Sequence, residues 1–135
     1  MPSRSTHVPL ALMHLCFLVC GAGTLLLGPT LPVFAQHWHL RDSQSGLLIT
    51  AQFFGLFSGS IALLRNLRHS LLCGILVAAA GFALLPLTLS VNGGYWLGAV
   101  AFYFLGLGLG QATATVNILS ALRYQKPQQR SSALS

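Results

Sequence analysis

Acidic residues are almost missing from this chain: Asp42 stands alone against seven Lys and Arg in 135 residues. Charge of either sign is scarce, 6% where a soluble domain carries about 25%. With 54% hydrophobic residues and a mean hydropathy of +0.72, that scarcity excludes an ordinary soluble surface and points to an integral membrane protein. A net charge of +6 would suggest nucleic acid in a soluble chain. Here the bases lie in short segments between apolar runs, so they speak of orientation in a bilayer and not of nucleic acid. Cysteine is also sparse. Cys16, Cys20 and Cys73 all lie within apolar runs, which excludes a secreted disulfide framework and leaves three free thiols. No catalytic or nucleotide-binding motif appears. The run Gly106-Leu-Gly108-Leu-Gly110-Gln111 lacks the third glycine of a dinucleotide loop and follows no strand. No enzyme activity and no cofactor are expected.

What is present is apolar length. Residues 97–122 carry no charge and can cross a bilayer, which takes roughly 20 helical residues. Within them lie Gly106, Gly108 and Gly110, then Gln111, Thr113, Thr115, Asn117 and Ser120. Small residues let helices approach closely in a membrane, so this segment is expected to be a spanning helix that needs partners. Three more spanning helices are expected, at about 8–34, 46–64 and 70–89. The first is too long for a cleaved signal peptide, and Pro29 and Pro32 should kink or end it. The loop 36–45 leads into the second helix, with Asp42 and Ser43 as N-cap residues. That helix carries Ala51, Gly55 and Gly59 at four-residue intervals. The third carries Gly74, Ala78 and Gly81, with Pro86 near its end. Residues 1–7 form a polar N-terminus, and 123–135 a polar, basic tail broken by Pro127.

The bases set an orientation. Arg4, Arg65, Arg68, Arg123, Lys126 and Arg130 fall on one side of a four-helix layout, and Arg41 falls on the other beside Asp42. The positive-inside rule then places both termini in the cytoplasm, with the plasma (inner) membrane as the expected location. Trp38, Tyr95 and Trp96 fall together at the outer interface.

Polar residues in the apolar runs are the candidate site. At about 100° per residue, Gly106, Gly110, Thr113, Asn117 and Ser120 share a narrow arc, read either as helix packing or as the border of a solute path against the first helix. Gln111 and Thr115 lie opposite. With Gln52 they form a second candidate set for substrate binding, or a bundle-interior hydrogen bond. His14 is either a proton-handling group or a residue that reaches the headgroups. Cys16 and Cys20 share a helix face near His14, but small apolar filler is the plainer reading and no metal site is expected. His37 and His39 flank an interfacial Trp and do not make one either. No Asp, Glu, Lys or Arg lies within an apolar core, so the chain shows no ion-coupling site of its own.

These features resemble the N-terminal part of major facilitator superfamily transporters, along nearly the whole chain and in the sugar-permease-like branch. The likeness rests on Gly28-Pro-Thr-Leu-Pro32, on the entry Asp42-Ser-Gln-Ser-Gly46 that runs on to Gly55, on the glycine-rich run before Asn117, and on Arg130-Ser-Ser-Ala-Leu-Ser135. The family's basic loop motif lays its arginine on Arg65 and a later base on Arg68, which makes these the candidate gating residues. Ser60, Leu64 and Leu67 depart from it, standing at the motif's first glycine, aspartate and second glycine. The resemblance implies an all-α integral membrane fold of four transmembrane helices. These would be part of the N-terminal half of a twelve-helix carrier whose C-terminal helices lie in the same chain or a partner chain. The interior amides, with no fixed charge beside them, suit a small, neutral polar solute as substrate, and the lipid bilayer is the expected surroundings. The alternatives are a stand-alone four-helix protein that oligomerises as small transporters do, and a non-transporting membrane partner.

Overall fold

The computed structural model describes residues 10–25, 27–62, 66–90 and 94–132. It is all-helical: α1 (Leu10–Leu25), α2 (Leu27–His37), α3 (Asp42–Ile61), α4 (Leu67–Ser90) and α5 (Tyr95–Ser132). α1 and α2 together cover the expected first helix, with His14–His37 long enough to cross a membrane. Pro32 is carried inside α2, which runs on to His37, beyond the expected end.

The turn after α2 is tight. The Leu40 N–H donates to the Ala35 carbonyl at 2.9 Å, and His39 adopts a φ of 50°. This is the left-handed helix closure that glycine usually fills. It shortens the expected loop 36–45 to four residues. α3 accordingly starts at Asp42, ahead of the expected Gly46. Arg41 takes the N-cap position, not Asp42 or Ser43, and its N–H donates to the Gln44 side-chain oxygen at 2.9 Å. Asp42 instead becomes a first-turn acid, favourable at the positive end of the helix dipole. At the other end of the chain, α5 runs to Ser132 through Pro127, the expected break in the tail.

α5 is the centre of the bundle, with α3 and α4 packed along two of its sides and α1 on a third, and α2 meets it through Phe34 and through Trp38 just past its end. Two rows of small residues explain why. On one side Gly106 and Gly110 lie against the backbone of Gln52 and Leu56, while Gly55 and Gly59 of α3 lie against the backbone of Tyr103 and Leu107. On another, Gly108 lies against Gly74 and Ala78 of α4, and Gly74 against Ala112. Each helix backbone fills the notch that glycine leaves in the other, the close approach that lipid-embedded helices use in place of a hydrophobic driving force.

The distribution of side chains is inside-out for a water-soluble bundle. Buried positions include Gln52, Ser70, Thr88, Gln111 and Thr115, whereas Leu18, Phe54, Phe57, Ile61 and Leu76 are largely exposed. Three stretches are long and apolar enough to cross a membrane: His14–His37, Leu67–Ser90 and Tyr95–Leu122. α3 is long enough, at 20 residues, but less apolar than the expectation of four such spans requires. Its Ser43, Gln44, Ser45, Thr50, Gln52, Ser58 and Ser60 lower the average.

Candidate functional site

The buried polar groups include a hydrogen-bonded network and an amide without a partner. The network ties three helices at one end of the bundle. Gln111 of α5 donates from Nε2 to the Ala62 carbonyl, which follows α3, and to Ser70 Oγ near the start of α4, both at 3.2 Å. The Thr115 hydroxyl donates to the Gln111 carbonyl at 2.7 Å and lies 3.2 Å from Ser70 Oγ. Ser70 and Thr115 are fully buried. The network fastens both ends of the turn between α3 and α4 to α5, and so sets their relative height. Replacing Gln111 by leucine is expected to destabilise the bundle by about 0.6–2 kcal/mol, because it removes the side-chain donor to the Ala62 carbonyl and one of the partners of Ser70. Thermal unfolding in detergent micelles measures it; a melting temperature equal to the parent's would mean that the network carries no stability.

Ser70 is the member that the sequence reading missed. A serine beside the basic segment resembles a helix-start residue, and nothing local says that it faces a glutamine 41 positions later.

Gln52 does not join this set. It is 1% exposed on the face of α3 that meets α5, and neither its amide oxygen nor its amide nitrogen has a hydrogen-bond partner. Its own backbone carbonyl is the one that Gly106 accommodates. It therefore sits about midway along the α3–α5 contact, between the Tyr95 hydroxyl donating to the Gln44 carbonyl and the Gln111–Ala62 bond. A buried, unpaired amide costs roughly 1–3 kcal/mol by protein mutational measures, and more in hydrocarbon.

The expected arc on α5 is split among neighbours. Gly106 and Gly110 face α3, not the first helix. Thr113, half-buried, is hydrogen-bonded with the Cys20 thiol of α1. Asn117 is exposed. It stands six residues past Gln111, about 9 Å further along α5 at 1.5 Å per residue, beyond the level at which α3 ends. The arc is thus not a single lining. Arg68 is exposed beside the α3–α4 turn, its N–H held by the Asn66 side chain at 3.2 Å, and Arg65 lies outside the described residues. His14 is exposed on α1 and is engaged within the chain. Among the described residues no three His, Cys, Asp or Glu side chains converge as a metal site would need.

The opposite end of the bundle is aromatic. Phe34 stacks on Trp38 at 4.9 Å and meets Phe102 edge-on at 5.6 Å, and Trp38 meets Tyr95 at 6.5 Å. Gly98 leaves the space that the Trp38 ring occupies. His37 Nε2 lies 3.1 Å from the Leu89 carbonyl, joining the end of α2 to that of α4.

Together these features define a helical bundle with three spans apolar enough for a membrane, a core of small and polar residues, and an apolar perimeter. Comparison with known protein families, curated proteins and solved structures finds no match for the chain.

Proposed function

We propose that the chain serves a membrane carrier for a small, neutral polar solute, on the plan of the major facilitator transporters that its sequence resembles. The observation that carries this reading is Gln52. An amide offers donors and an acceptor without a charge. Held mid-bundle without a partner, it costs stability that a purely structural helix contact would not need to spend. Carriers use such groups to bind solute or to switch between packings of the same helices. Asn117 is then a residue of the bundle's basic end and not of a mid-membrane site, which leaves Gln52 ahead of Asn117, Thr113, Thr115 and Gln111. α3 serves as a fourth crossing on this reading, since it runs beside α5 over its full length and shows Phe53, Phe54 and Phe57 to the perimeter.

Uptake by proteoliposomes containing the chain tests the carrier reading, with a panel of radiolabelled hexoses, polyols and amides. Uptake of at least one above that of empty vesicles is expected, and Gln52→Leu should lose most of it while remaining folded. Uptake no higher than in empty vesicles, or a Gln52→Leu variant that transports like the parent, would refute the role assigned here.

The positions of the bases support cytoplasmic termini in the plasma (inner) membrane. Single cysteine reporters at Asn92 and Gln128, in a background whose native cysteines are replaced, test the orientation in intact cells. An impermeant maleimide should label the Asn92 reporter and spare the Gln128 reporter. Labelling of Gln128→Cys from outside would reverse the topology.

A further inference from the structure

A cleft of about 330 Å³ lies between α2, α4 and α5. Its walls are Phe34 of α2, Phe82, Leu85 and Pro86 of α4, and Phe102 and Leu105 of α5. The one hydroxyl in the lining, Thr30, is already engaged. The Thr88 hydroxyl, next along α4, folds back to the Leu85 carbonyl at 2.6 Å and offers no free donor. The cleft therefore makes little demand for a polar ligand, and an apolar cavity of this kind does not hold water.

Its position supplies the occupant. Phe82, Pro86 and Leu89 line it and are exposed, so its mouth opens on the bundle's perimeter and is continuous with the apolar surface that faces lipid. Its outer end, at Phe34 and Leu89, adjoins His37, Trp38 and Tyr95, the aromatic end of the bundle, where headgroups and hydrocarbon meet. From Leu89 inward to Phe82 the α4 wall runs about 10 Å into the hydrocarbon at 1.5 Å per residue. The cleft thus starts at headgroup depth, points along the membrane normal and is lined by hydrocarbon. We propose that it holds one acyl chain of a bilayer phospholipid, seated between α2 and α4. α2 meets α4 and α5 at its aromatic end, through Phe34 on Phe102 and His37 beside the Leu89 carbonyl, and the cleft lies next to that end. The proposal requires the bundle to sit in a bilayer and is independent of whether it carries a solute.

The test uses the full chain in nanodiscs of phosphatidylcholine in which a small fraction carries a diazirine midway along one acyl chain. After photolysis, labelled peptides are mapped by mass spectrometry. Label is expected to concentrate on peptides spanning Thr30–Phe34 and Phe82–Leu89, and to fall about tenfold there in Leu85→Trp, whose side chain fills the cleft. Leu85→Phe, a milder filling, serves if the tryptophan variant does not fold, and should lower the label in the same direction. Phe57→Ala, on a distant outer face, should leave it unchanged. Label spread over the perimeter in proportion to exposure, with Phe53 and Phe57 marked as strongly as the cleft, would overturn the proposal. So would labelling that both filling variants leave undiminished, or a cross-link from the cleft to a second copy of the chain in place of lipid.

Discussion

Leucine at Gly106 or Gly110 is expected to detach α3 from α5 and to leave little folded protein. The reason is what a side chain would meet. A Cβ on Gly106 would fall on the Gln52 carbonyl, and one on Gly110 on that of Leu56. These are backbone atoms within a helix and cannot rotate aside as a side chain can. Overpacking a core commonly costs 1–3 kcal/mol. Here relief requires two helices to separate along their length, so each change should reach the upper end of that range, about 3 kcal/mol. Gly59→Leu attacks the same contact from the α3 side, against Leu107. Gly21 is the control. No heavy atom comes within 4 Å of a Cβ built there, so Gly21→Ala should fold like the parent and gain up to about 1 kcal/mol from helix propensity. Thermal unfolding followed by circular dichroism in one detergent compares the four proteins. Parental melting of Gly106→Leu and Gly110→Leu would show that α3 does not dock on this face of α5.

Gln52→Leu should act in the opposite direction and stabilise the bundle by about 1–3 kcal/mol. The change removes a buried amide that has no partner and substitutes an apolar side chain of similar length. Gln111→Leu, chemically the same substitution, should destabilise, because its amide holds Ser70 and the Ala62 carbonyl. The pair separates an amide kept for function from one kept for structure. A gain in melting temperature for Gln52→Leu together with a loss of uptake is the expected result. A lower melting temperature would mean that the amide is satisfied in solution, and the argument from its isolation would fail.

The opposite signs arise from contacts that no local pattern in the chain encodes. Helical wheels place Gln52, Gln111 and Thr115 together as interior polar residues, and composition alone justifies that grouping. Which of them meet depends on the relative height of α3 and α5. Interlocked glycines set that height, and it brings Ala62, not Gln52, to Gln111. Similarly, the arc from Gly106 to Ser120 is real as an angular fact about one helix, but three neighbours divide it.

The sequence by itself determined the environment and the material of this protein. Apolar runs with almost no acid point to a bilayer, where helices satisfy backbone groups within their own segment. It also determined which surfaces come close, since Gly55, Gly59, Gly74, Ala78, Gly106 and Gly110 allow an approach that larger side chains forbid. Only the tertiary structure decided that helix continues past Pro32 to His37, beyond the end that the prolines suggest. Only it decided that α5 is the axis, with α3 and α4 on separate glycine faces. It alone decided that Gln52 stands isolated while Gln111 is tied. Periodicity fixes the direction of a side chain around its own helix, whereas its partners depend on the translation of one helix along another, which sums contacts over the whole interface.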